Sequence, residues 1–196
     1  MARKLLSPVL IRFRLPTEIL LSWCIPLDKG KKKLTIREIT LFAVLGALTF
    51  ALQVVMAPLP NIEPVSLLVM IFAAVFGWKS LYPIYIFVVM EILFYGISTW
   101  NIYYLYVWTV LALAAIFMRK QANPLAWALL GAVYGLFFGA LCGIVDIFIG
   151  GFGYAAAKWV SGIPFDLLHC GGNFAMTLIL WNPLRALLEK CWKAMK

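Results

Sequence analysis

Between Ile36 and Trp181 the chain is a succession of apolar runs, with its basic residues gathered in short clusters between them. Backbone polar groups in lipid must be satisfied within the segment, so runs of this kind can cross a bilayer only as helices. Six candidates are visible: Ile36–Met56, Pro64–Phe76, Leu81–Ile97, Tyr103–Met118, Pro124–Ile149 and Trp159–Trp181. A perpendicular crossing needs about 20 residues. The second run is short and reaches that length only if Asn61 to Glu63 form its outer turn. Composition agrees with a membrane location, since 64% of residues are hydrophobic and 13% are charged. A soluble domain carries roughly twice that charged fraction.

The net charge of +9 does not point to nucleic acid, because the basic residues form no groove-like array. One His and four scattered Cys without a CxxC offer neither a metal centre nor a disulfide framework. The stretch before the first run is broken by Arg12, Arg14, Pro16 and Glu18 and does not read as a secretory signal. Residues 17–27 are expected along the interface.

Charge bias sets the expected topology. Lys29, Lys31, Lys32, Lys33 and Arg37 precede or open the first run, and Lys79 separates the second and third. Arg119 and Lys120 close the fourth, while Arg185, Lys190, Lys193 and Lys196 fill the tail. With the amino end inside, the three outer connections carry only Lys158, as the positive-inside rule requires. The expectation is an all-α bundle of six transmembrane helices with both termini cytoplasmic. Its parts are an amino-terminal segment 1–34, a membrane domain 35–188 and a basic tail 189–196.

Two small-residue stripes are candidate packing faces, because small side chains let helix backbones approach closely in lipid. Ala43, Ala47 and Ala51 recur every four residues in the first run, and Gly131, Gly135, Gly139 and Gly143 do so in the fifth. The glycine stripe suits packing within the chain. The alanine stripe suits either that or another subunit.

The polar residues carry the functional signal. Measured against six crossings, Glu63 opens the second run, Glu91 lies about 9 Å from the outer end of the third, and Asp166 lies roughly 10 Å into the sixth. Asp146 sits in the last outer turn of the fifth, and His169 and Asn173 extend the face begun by Asp166. Acids in hydrocarbon cost about 2.5–3.5 kcal/mol each, so they normally face a cavity or a partner. Tyr95, Trp100, Tyr103, Tyr104, Tyr106 and Trp108 cluster near the third-to-fourth connection, with Phe152, Tyr154 and Trp159 near the fifth-to-sixth. Rings beside carboxylates would receive a flat, partly cationic organic molecule. The expected substrate-binding set is Glu91, Tyr95, Trp100, Asp146, Trp159, Asp166, His169 and Asn173, with the prolines at 58, 60 and 64 shaping a wall or lid. Mutual satisfaction of Asp166 or Glu91 with His169, serving only to specify packing, would explain part of the same pattern.

No P-loop is present, since "GFGYAAAKW" lacks the required ending and glycine spacing. Nor does the chain show the internal duplication of inverted-repeat transporters. Over residues 36–190 the chain resembles the substrate-binding S components of energy-coupling factor (ECF) vitamin transporters. The features that carry the resemblance are the six short segments, the charge bias and the stripe Ala43–Ala47–Ala51. The resemblance implies a non-enzymatic capture subunit in a prokaryotic plasma membrane, with no cofactor of its own. Its alanine face would dock on a transmembrane coupling subunit, two ATPase subunits would hydrolyse ATP, and the ligand would be a vitamin or related micronutrient. The acids and rings suit a cationic heteroaromatic such as thiamin. Two other readings stand beside it: a small membrane enzyme pairing His169 with Asp166 or Glu91, and a non-transport scaffold.

Overall fold

The computed structural model describes residues 33–59 and 62–195. The interfacial segment expected over residues 17–27, together with Pro60 and Asn61, lies outside the described residues.

Helix α1 (Ile36–Met56) opens on a reciprocal cap, in which Thr35 Oγ1 accepts from Glu38 N–H and the Glu38 carboxylate accepts from Thr35 N–H. Pro64 precedes α2 (Val65–Phe76), which stops where Gly77 adopts a positive φ of 59° that a side chain would resist. A 3₁₀ turn, Gly77–Ser80, leads into α3 (Leu81–Tyr95), and Gly96, also at positive φ, ends it. Ser98 and Asn101 cap α4 (Thr99–Met118). Asn123 caps α5 (Pro124–Leu136), with Pro124 at the first helical position. Helix α6 (Phe138–Ala194) follows after Phe137 and is interrupted by non-helical Gly151 at φ 81°.

Four helical stretches are long and apolar enough to cross a membrane among the described residues: Ile36–Met56, Val65–Tyr95, Thr99–Met118 and Pro124–Ala194. This corrects the expected six-crossing bundle of the S-component type. Helix α2 has 12 residues and α3 has 15, about 18 and 22 Å of rise, each short of the roughly 30 Å hydrocarbon layer. Together with the 3₁₀ turn they make up the stretch Val65–Tyr95, and Phe76 and Lys79 at that turn lie beside Phe42 and Glu38 near the start of α1. The expected fifth and sixth runs likewise belong to a single 71-residue stretch. Lys79, expected in a loop between two crossings, sits in the 3₁₀ turn within the second stretch and pairs with Glu38 at 2.6 Å. The chain is a multi-pass, largely helical membrane-spanning protein.

Helix α2 forms the centre, with ten of its twelve residues buried. A helix apolar on every side belongs in the interior of a bundle. Helices α1 and α3 run parallel: Phe42 stacks on Tyr82, Gly46 fits against Pro83 and Ile86, and Phe50 meets Phe94 and Tyr95. Helix α5 and the later part of α6 run antiparallel, since Gly131, Gly135 and Gly139 meet Thr177, His169–Cys170 and Asp166 in turn. Gly143 is buried but has open space where a Cβ would lie. Ala43, Ala47 and Ala51 are all exposed, so the packing small residue of α1 is Gly46.

Lys79 also lies over the Trp192 ring, and Arg119 approaches Gly77. Glu38, Lys79, Arg119 and Trp192 therefore share one end of the bundle. Large apolar side chains such as Val44, Leu93, Phe148 and Ile179 are exposed on α1, α3 and α6, where lipid can meet them.

Candidate functional site

A continuous buried polar seam runs along α6. Asp166, His169, Asn173, Thr177 and Trp181 succeed one another at helical spacing, and each is at least nine-tenths buried. The glycines of α5 make room for it, because a Cβ on Gly135 would lie 2.7 Å from the His169 carbonyl carbon. Asn173 Nδ2 donates to the Gly131 carbonyl at 3.1 Å, and Gly139 N–H donates to Asp166 Oδ1 at 3.1 Å. The Trp159 indole is a polar neighbour of the same carboxylate, short of a well-formed hydrogen bond to Oδ2. Asn173 Oδ1 and Thr177 Oγ1 have no hydrogen-bond partner.

His169 does not pair with Asp166. Its Nε2 lies 3.3 Å from Ser66 Oγ, which the first helical turn of α2 presents. Ser66 is 0% exposed and His169 2%, with the Phe138 ring 5.0 Å from the imidazole. That separation lies just outside the roughly 2.6–3.2 Å of a nucleophile–base hydrogen bond, in the looser range of sites without substrate. The orienting carboxylate of a triad is not in place, since Asp166 is engaged with the Gly139 backbone. Sequence reading missed Ser66. Its signal was a polar residue two positions after Pro64 inside an otherwise apolar run.

Asp146 belongs to a separate cluster. Tyr103 OH donates to Asp146 Oδ1 at 2.5 Å, and Lys158 Nζ donates to both Asp146 Oδ1 and Tyr103 Oη at 2.8 Å. The Lys158 ammonium also sits over the Tyr103 and Tyr154 rings. Asp146 is therefore satisfied by its neighbours.

Glu91 lies in a third place. It is buried on α3, its Oε1 has no partner, and its charge acts on Glu63 in the α1–α2 connection. Loss of water around the Glu63 carboxyl, with the Glu91 charge adding to it, pushes Glu63 up to about 7. Tyr95 and Trp100 are exposed, and so is much of Trp159. The eight residues expected to bind substrate thus divide among the α6 seam, the Asp146 cluster, the Glu91 region and the surface. The apolar groove along α3, lined from Trp78 to Met90, contains none of them.

These features define a polytopic helical membrane protein with a buried Ser–His contact. No protein-family model matches the chain, and neither characterised proteins nor solved structures give a match. The reading as the capture subunit of an ECF-type ABC importer depended on six separate spans, and the four helical stretches overturn it.

Proposed function

We propose that the chain is a small integral-membrane enzyme in which His169 acts as general base for the Ser66 hydroxyl. The reaction class is acyl transfer or hydrolysis of a membrane-dissolved ester or amide. The supporting observation is the 3.3 Å approach of Ser66 Oγ to His169 Nε2, two residues brought together from α2 and α6. His169 would take the hydroxyl proton as Oγ attacks the carbonyl carbon, then deliver that proton to the leaving group. Water would cleave the acyl–Oγ bond by the reverse proton path. Helix α2 must part from α5 and α6 to admit substrate, because both side chains are enclosed. A plasma-membrane location with the basic end facing the cytoplasm is part of the proposal.

The test is labelling of the detergent-solubilised full chain with a fluorophosphonate probe. Covalent label on Ser66, lost in Ser66→Ala and reduced at least tenfold in His169→Gln, supports the dyad. Folded protein that takes no label overturns it.

A second reading, a non-transport scaffold, is favoured by the near-complete burial of Ser66 and His169 and by the backbone contact at Gly135. On that reading the pair fixes helix register, and Ser66→Ala lowers stability in a protein that never labels.

A further inference from the structure

We propose that the groove along α3, with the basic groups at its Gly77 end, binds one anionic phospholipid, its phosphate on Arg119 and Lys120 and an acyl chain along α3. The groove has a volume of about 600 Å³ and runs from Trp78 past Tyr82, Tyr85 and Val89 to Met90. Its helical rise is about 18 Å, close to the roughly 15 Å of hydrocarbon in one leaflet. Trp78 is 44% exposed and Val89 52%, so the face is open. The Tyr85 hydroxyl is taken up by the Leu105 carbonyl at 2.9 Å and by Thr109 Oγ1 at 2.8 Å. Tyr85 therefore offers a ligand its ring, and an apolar chain lying there leaves that hydroxyl satisfied.

The mouth of the groove is fixed by a contact between elements. Gly77 immediately precedes Trp78, and the Arg119 guanidinium lies 3.3 Å from where a Gly77 Cβ would stand. That contact joins the end of α4 to the start of the groove. Lys120 follows Arg119, and both are exposed. Lys79 is held by Glu38 at 2.6 Å and Arg185 by Glu189 at 2.8 Å. Arg119 and Lys120 enter no ion pair among the described residues, which leaves their charge for an outside anion. A guanidinium fork matches phosphate oxygens, and basic clusters beside a membrane attract anionic headgroups. Trp78 suits the same level, where indole rings meet the headgroups.

A second copy of the chain is the other occupant such a face could take. Two copies in one membrane share an orientation, so a two-fold contact through α3 brings their basic ends together. The charge favours the lipid.

The experiment is native mass spectrometry of the full chain in detergent, titrated with dioleoylphosphatidylglycerol or dioleoylphosphatidylcholine. One phosphatidylglycerol per chain is expected, bound at least tenfold more tightly than phosphatidylcholine. Arg119→Gln with Lys120→Gln should erase that preference. Val89→Trp, which fills the groove from an exposed position, should weaken both lipids at least fivefold. Lys190→Gln with Lys193→Gln, on α6 outside the groove, should leave the preference intact. Equal binding of the two lipids, or equal losses from both neutralised pairs, would show diffuse attraction and overturn the site. Displacement by inorganic phosphate at the lipid's own concentration, or a mass of two chains that Val89→Trp converts to one, would overturn it as well.

Discussion

Gly135 of α5 lies against the backbone of His169, so close that a Cβ there would fall 2.7 Å from the histidine carbonyl carbon. Interhelical separation, the burial of His169 and its reach to Ser66 therefore depend on one missing methyl group. Gly135→Ala must push α5 and α6 apart, at an overpacking cost of about 1–3 kcal/mol. Gly143→Ala is the control, because nothing lies within 4 Å of its Cβ position. Thermal unfolding in detergent should show a clear loss for the first and little change for the second.

Ser66→Ala leaves His169 Nε2 facing an apolar wall. The expected cost is about 1–3 kcal/mol, that of one buried polar group losing its partner. Ser66→Thr keeps the hydroxyl and should recover part of the loss. A Ser66→Ala protein as stable as the parent would show that the contact contributes nothing to packing.

Lys158→Met separates the Asp146 cluster from the seam. Asp146 is 3% exposed in its side chain and would retain only Tyr103, whereas Lys158 is 41% exposed and water screens its part. Breaking such a half-exposed pair should cost about 1–3 kcal/mol. Asp146→Asn in the Lys158→Met background should restore stability, because the uncompensated charge is gone. A double variant no better than the single one would contradict this account.

Glu63 links stability to pH. Its carboxyl is raised from 4.5 to about 7, so the folded protein holds a proton that the unfolded chain releases. Its contribution is fully present below pH 4.5 and is lost as pH rises through 7. Unfolding midpoints measured in choline chloride should fall across that window. Glu63→Gln should flatten the fall, and an unchanged slope would remove Glu63 as its source.

Much of the helical framework was legible. The runs starting at Ile36 and Pro124 and those ending at Met56, Phe76 and Met118 coincide with helix limits, because proline, glycine and charge act through local backbone geometry. The glycine stripe's inward packing was legible for Gly131, Gly135 and Gly139. The division of the runs was not. The 3₁₀ turn Gly77–Ser80 joins two short helices into one stretch, and a single non-helical glycine at 151 interrupts another. Periodicity placed Asp166, His169 and Asn173 on one face, yet it could not show that the partner of His169 is Ser66, 103 positions away.

The sequence by itself determined a lipid-soluble helical chain, because its many apolar and few charged residues exclude a hydrated surface, and it determined which side chains share a helix face. Tertiary structure alone decided the pairings. Ser66 with His169, and Tyr103 and Lys158 with Asp146, each join separate parts of the chain. Those meetings follow from how closely glycine and aromatic faces let the helices approach. Helical spacing carries no information about which neighbour will be there.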